Sequence, residues 1–287
     1  MAADDAFPAS IKDAGVLSRR GLATLSLGAG LAAAGAAFAG DVVETDVTIA
    51  TADGMCDAAL FHPPGDSRWP GAIIFTDVLG LRPVFREMGR RLAGNGYCVL
   101  VPNPFYRTRK APVIDGPFDF TKPEDRAKLA PLTAPLSRAT QITDTGAYIG
   151  WLSVHPRVKP RKKIGVSGYC MGGPYTLVAA SVAPGRIGAV GSFHGGGLVT
   201  DKPDSPHLLI AKIKAACYLG VANNDDQRQP DAKDKLKAAF ADAKLPAEVE
   251  VYPANHGWCV RDNPTYDAAS AERAWAHLTS LYARALT

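Results

Sequence analysis

A cysteine held in Gly168-Tyr169-Cys170-Met171-Gly172-Gly173 is the residue of this chain best placed to do covalent chemistry. The pattern is G-x-S-x-G with sulfur in place of oxygen, the signature of a nucleophile on a sharp strand-to-helix turn. Glycines flank such a turn because a neighbouring Cβ would collide with adjacent chain. A thiol at the start of the following helix also feels the positive end of the helix dipole, which favours the thiolate. Cys170 is therefore the candidate nucleophile.

A nucleophile needs a base, and the base needs an orienting carboxylate. Where this turn is used, the acid and then the histidine follow on loops after later strands. Asn223-Asn224-Asp225-Asp226 ends an apolar strand-like run 55 residues after Cys170, and Asn255-His256-Gly257-Trp258 follows another run, with His256 31 residues beyond Asp225. Asp225 is the first choice for the acid and Asp226 the alternative; His256 is the base. His194, in Phe193-His194-Gly195-Gly196-Gly197, reads either as part of the pocket wall or as a structural residue, whereas His62, His155, His207 and His277 read as structural or surface residues. His256 and Cys259 have an H-x-x-C spacing without a second ligand pair, so no metal site is expected.

The elements that must position these groups follow from periodicity. Residues 42–51 and 55–61 alternate around Asp53-Gly54 as an edge hairpin. Strands are expected at 71–75, 96–101, 163–166, 187–193, 215–222 and 247–252. Helices are expected at 82–93, 125–132, 138–152, 171–183, near Leu208, at 231–243 and at 265–285. This alternation implies a mostly parallel sheet covered by helices on both faces, with the candidate residues at one sheet edge. The Pro-, Arg- and aromatic-rich stretch 103–121 reads as a loop over the site.

At these motifs the chain resembles the dienelactone hydrolase family, whose α/β-hydrolase fold is the α/β class just inferred. The likeness runs from about Asp46 onward and is sharpest at Gly168–Gly173 and Asn255–Trp258. It implies Cys170 as nucleophile, Asp225 as acid and His256 as base, with the Met171 and Val78 amides as an oxyanion hole. It also implies substrate contacts at Asp77, Arg126 and Arg261, with Trp258 and His194 beside them. Asp77 stands where the family's type enzymes carry a glutamate. The implied activity is hydrolysis of lactones or activated esters, as in carboxymethylenebutenolidase, without a cofactor. The alternatives are a general carboxylesterase or a catalytically silent ligand-binding protein on the same scaffold.

The chain has 287 residues, 47% of them hydrophobic and 21% charged, which excludes a disordered protein. Its net charge of +4 comes without a basic cluster and gives no reason to expect nucleic acid as a partner. Five cysteines cannot all pair with one another, and the absence of C-x-x-C argues against a thiol redox protein. Cys56, Cys98 and Cys217 lie in apolar runs and read as buried. At the N-terminus, Arg19-Arg20, an uncharged Ala/Gly/Leu-rich run and Ala37-Phe38-Ala39 read as a twin-arginine export signal. The expected organisation is a signal at 1–39 and one hydrolase domain at 40–287. It places the enzyme in the periplasm, with no stable membrane association after cleavage and an uncleaved membrane anchor as the alternative.

Overall fold

The computed structural model describes residues 41–286, so the expected export signal lies outside the described residues. Strands β1 (Val43–Thr51) and β2 (Gly54–His62) form the expected hairpin, Thr51 pairing with Gly54 across the turn. Then follow β3 (Gly71–Phe75), α1 (Pro83–Gly94), β4 (Cys98–Pro102), the short α2 (Pro123–Ala127) and α3 (Leu129–Thr133), and α4 (Arg138–Val154). The remainder is β5 (Ile164–Tyr169), α5 (Gly172–Val182), β6 (Ile187–Phe193), a 3-10 turn at Pro206–Lys212, β7 (Ala216–Ala222), α6 (Asn223–Arg228), α7 (Ala232–Asp242), β8 (Ala247–Tyr252) and α8 (Ala268–Ala285).

The eight strands make one sheet in the order β1-β2-β4-β3-β5-β6-β7-β8. β2 is antiparallel to β1 and β4, and all pairs from β4 to β8 are parallel. One core cluster packs Tyr148, Leu152, Leu177 and Phe240 of α4, α5 and α7 on one face; the other packs Phe85, Leu92, Leu278 and Tyr282 of α1 and α8 on the opposite face. Each fully buried side chain of this size contributes about 1.5–3 kcal/mol. Both faces are thus covered by helices, and the strand ends are where such sheets place their sites.

Several boundaries differ from the sequence reading for local reasons. The strand expected at 96–101 begins two residues later because Gly96 takes a positive φ of 91°, and it includes Pro102 at its end. The helix expected at 125–132 is two short helices meeting at Lys128. The tandem Asn-Asn-Asp-Asp sequence, expected on a loop after its strand, opens the helix α6, and α8 starts only after Asp267 has capped it by accepting the Ser270 N–H at 2.7 Å.

Candidate active site

β5 runs through Tyr169 directly into α5, leaving Cys170 and Met171 to make the whole turn. Cys170 adopts φ 53°, a left-handed conformation that costs a side-chain-bearing residue about 1–3 kcal/mol and persists only where neighbours impose it. The glycines show what imposes it. A Cβ on Gly168 would stand 2.0 Å from the Gly172 carbonyl oxygen, and one on Gly172 would stand 2.3 Å from the Phe75 carbonyl oxygen. The turn is therefore pressed onto both its own helix and the end of β3, and the thiol is left partly exposed at the sheet edge.

His256 and Asp225 emerge at the ends of β8 and β7 and meet. His256 Nδ1 lies 2.6 Å from Asp225 Oδ2, while the His256 backbone N–H donates to Asn224 Oδ1 at 2.8 Å and its carbonyl accepts from Thr265 Oγ1 at 2.6 Å. The other Asp225 oxygen accepts from Arg228 at 2.8 Å. Asp226, the alternative acid, instead pairs with Lys233 at 2.8 Å. Burial disfavours a charged His256 ring, but hydrogen bonds and charge from Asp225 and Cys170 outweigh it and raise the imidazolium to about 10. Cys170, His256 and Asp225 thus form one connected group.

Among the described residues, neither the Val78 nor the Met171 amide has an acceptor. Their neighbours do: Leu79 donates to Asp77 Oδ1 at 2.9 Å, Gly80 to the Asp77 carbonyl at 3.1 Å, and Gly173 to the Cys170 carbonyl at 3.0 Å. Two free amides at the ends of β3 and β5 are the arrangement an oxyanion hole requires. The 103–121 segment packs Phe105 and Val113 against Leu132, with Met171 beside them, so it covers this side of the turn.

Other expected contacts go elsewhere. Asp77 is buried and holds Arg82 through both oxygens, at 2.6 and 2.9 Å, and Arg82 grips Asp262 with two further bonds of 2.8 Å. Its carboxylate is committed to tying the β3 loop to the loop after His256. Arg126 is exposed on α2. Arg261 is also exposed and lines a separate cavity of about 370 Å³ between α1 and α8, with Arg91, Trp275 and Cys259. Trp258 is wholly buried, stacked on Tyr252 with ring centroids 4.8 Å apart, so it belongs to the core and not to a substrate wall.

His194 is likewise buried, and of its two expected roles the structure favours the structural one over direct substrate contact. Its Nδ1 accepts the Cys170 backbone N–H at 3.1 Å, and its ring lies edge-on to His256 at 5.0 Å. Burial, then the proximity of His256, holds it well below the usual histidine range. A neutral imidazole accepting at Nδ1 carries its proton on Nε2. The sequence signal for this role was its place one residue beyond β6, in register with Cys170 one residue beyond β5.

The remaining thiols are free but differently placed. Burial pushes Cys56, Cys98 and Cys217 up to about 12, and holds Cys259 well above the ordinary thiol value. Among the described residues no three His, Cys, Asp or Glu side chains are grouped to hold a metal ion, and no helix is long and apolar enough to cross a membrane.

Comparison with known proteins bears on the family and the fold. The profile of the dienelactone hydrolase family matches residues 56–286. A carboxymethylenebutenolidase of Rhodococcus opacus is 27% identical over 220 residues, covering 75% of this chain and 81% of the relative. Carboxymethylenebutenolidase 1 of Cupriavidus pinatubonensis is 26% identical over 232 residues, covering 80% of this chain and 92% of the relative. Among solved structures, a dienelactone hydrolase-like promiscuous phosphotriesterase from metagenomic libraries superposes with a TM-score of 0.70 at 20% identity, covering 86% of this chain and 100% of its own. These structural neighbours share the α/β-hydrolase fold.

Proposed function

Because this chain belongs to the dienelactone hydrolase family, we propose that it hydrolyses lactones or activated enol and aryl esters through Cys170, His256 and Asp225. At the coarser level the enzyme is a carboxylic ester hydrolase of the dienelactone hydrolase type. The observation that carries the finer reading is the geometry of the turn and the histidine loop: Cys170 on a left-handed strand-to-helix turn, and His256 held by Asp225 at 2.6 Å, with the imidazolium raised to about 10 between Asp225 and Cys170. An imidazolium of that stability is the natural partner of a thiolate, and Asp225 fixes its Nδ1–H so that Nε2 faces sulfur.

In the proposed sequence the Cys170 thiolate attacks the carbonyl carbon, and the Met171 and Val78 amides stabilise the oxyanion. Removing one such donor commonly costs about 3–4 kcal/mol of barrier. As the carbon–oxygen bond breaks, the leaving oxygen takes the Nε2 proton of His256 and a thioester forms on Cys170. His256, now neutral, activates the water that hydrolyses the thioester and recovers the proton. His194 supports the nucleophile from below through the Cys170 N–H.

A thiolate is itself a good leaving group, so the tetrahedral adduct collapses forward only if the departing oxygen leaves at least as readily. Enol lactones and aryl esters meet this condition; simple alkyl esters and amides do not. A turnover screen of residues 40–287 on dienelactones, aryl esters, alkyl esters and amides tests the reading, with Cys170→Ala as control. Activity on the first two classes that vanishes in Cys170→Ala supports it; full lactonase or aryl esterase activity in Cys170→Ala overturns it. The sequence at 18–39 supports export to the periplasm, which cell fractionation checks.

A further inference from the structure

A cavity of about 410 Å³ opens on the side of the site opposite the free amides, with Asp225 and His256 in its wall. Its wall adjoins the nucleophile turn: Gly196, which lines it, donates its N–H to the Cys170 backbone carbonyl at 3.2 Å. Leu198, Val199, Val221 and Leu236 line it, and each of its cations is already paired: Arg228 and the His256 imidazolium with Asp225, and Lys233 with Asp226. Neither Arg126 nor Arg261 lines it. The cavity therefore offers apolar surface and no uncommitted positive charge for a carboxylate.

The three glycines on its edge have different reasons to be glycine. A Cβ on Gly195 would stand 2.7 Å from Ser192 Oγ, and Gly197 takes φ 68°. Gly196 has neither constraint: a Cβ there meets nothing within 4 Å, and its φ is outside the left-handed range. The backbone gives no cause for a glycine at 196. Gly196 is exposed and borders the cavity, so a larger side chain has room to stand there.

Resting on the hydrolase reading above, we infer that this cavity is the leaving-group subsite, shaped for an uncharged, apolar aryl or enol group. The sheet order fixes which half of an ester it takes. β3, carrying the Val78 amide, lies on one side of β5, and β6 and β7, carrying the cavity, lie on the other. The carbonyl oxygen points toward the amides. The departing oxygen must sit against His256, the proton donor in the cavity wall, so its substituent extends into the cavity.

The test compares 1-naphthyl acetate with vinyl acetate, which share an acyl group and differ in leaving-group size, in wild type, Gly196→Leu and Ala232→Leu. Ala232, at the start of α7, also lines the cavity, so the two variants narrow it from different elements, and thermal melting verifies that each folds. Each ester's intrinsic reactivity cancels when a variant is compared with wild type. The ratio of kcat/KM for naphthyl over vinyl acetate is expected to fall at least tenfold in both variants. A ratio unchanged in both, with the wild type active, overturns the subsite while leaving the hydrolase reading intact. A wild-type enzyme that turns over neither ester overturns both.

Discussion

Replacing Asp225 by Asn removes the charge beside His256 but keeps an oxygen able to accept its Nδ1–H at 2.6 Å. Arg228, the other partner of this carboxylate, is 67% exposed, so its loss of an ion pair costs little folding stability. The consequence falls on the imidazolium, which Asp225 and Cys170 together raise from 6.5 to about 10. An opposite charge at hydrogen-bonding distance commonly shifts such a group by about 1–3 units, or about 1.4–4 kcal/mol. His256 must be protonated to release the leaving group, so activity on the alkaline side falls as the imidazolium is lost. Wild-type kcat/KM for an aryl acetate should hold until an apparent pKa near 10 and decline above it. In Asp225→Asn this limb moves down by about 1–3 units, so protonation alone lowers kcat/KM at about pH 9 by roughly 2- to 100-fold. The assay is a kcat/KM pH profile corrected with Cys170→Ala for alkaline hydrolysis, paired with an NMR titration of His256. An alkaline limb and a His256 titration both unmoved by the substitution would refute the coupling.

Two further outcomes follow from named contacts. Near neutral pH iodoacetamide should label Cys170 to one equivalent, because burial holds the other four thiols protonated; peptide mapping checks this, and fast labelling at any other cysteine contradicts it. Asp144, buried on α4, pairs with the largely buried Arg107 at 2.7 Å and accepts the Tyr106 hydroxyl at 2.9 Å; Arg107 keeps its second partner, Asp53, at 2.6 Å, so Asp144→Ala should cost about 1–3 kcal/mol through the lost charge-assisted hydrogen bonds, measured by denaturant unfolding with Cys170 labelling as the check that the site persists.

The turn at Cys170 was legible because its glycines are demanded by backbone contacts within a few residues, and local constraints leave local patterns. His256 was legible because a strand end is readable from periodicity. Asp225 was legible as one of two aspartates, but α6 was not, since Asn and Asp favour turns and caps and only the packing of β7 and β8 decides otherwise. The substrate contacts failed for a different reason. Asp77 is claimed by Arg82, whose other partner Asp262 is 180 residues further along the chain, and no spacing rule reveals such a pair. Trp258 and His194 carry polar ring atoms that suggest a wall, yet they are buried in edge-to-face contact with each other, with Trp258 stacked on Tyr252. Position along the chain located strand ends, whereas side-chain direction at those ends came only from the assembled fold.

The central claim is that an acyl group passes through the sulfur of Cys170. Acid-quenching the enzyme during turnover of an aryl acetate and mapping its peptides by mass spectrometry tests this most directly. The account predicts an acetyl group on the peptide carrying Cys170, released by hydroxylamine and missing from Cys170→Ala, which is inactive. Acetyl found on another residue, or undiminished turnover by Cys170→Ala, would contradict it.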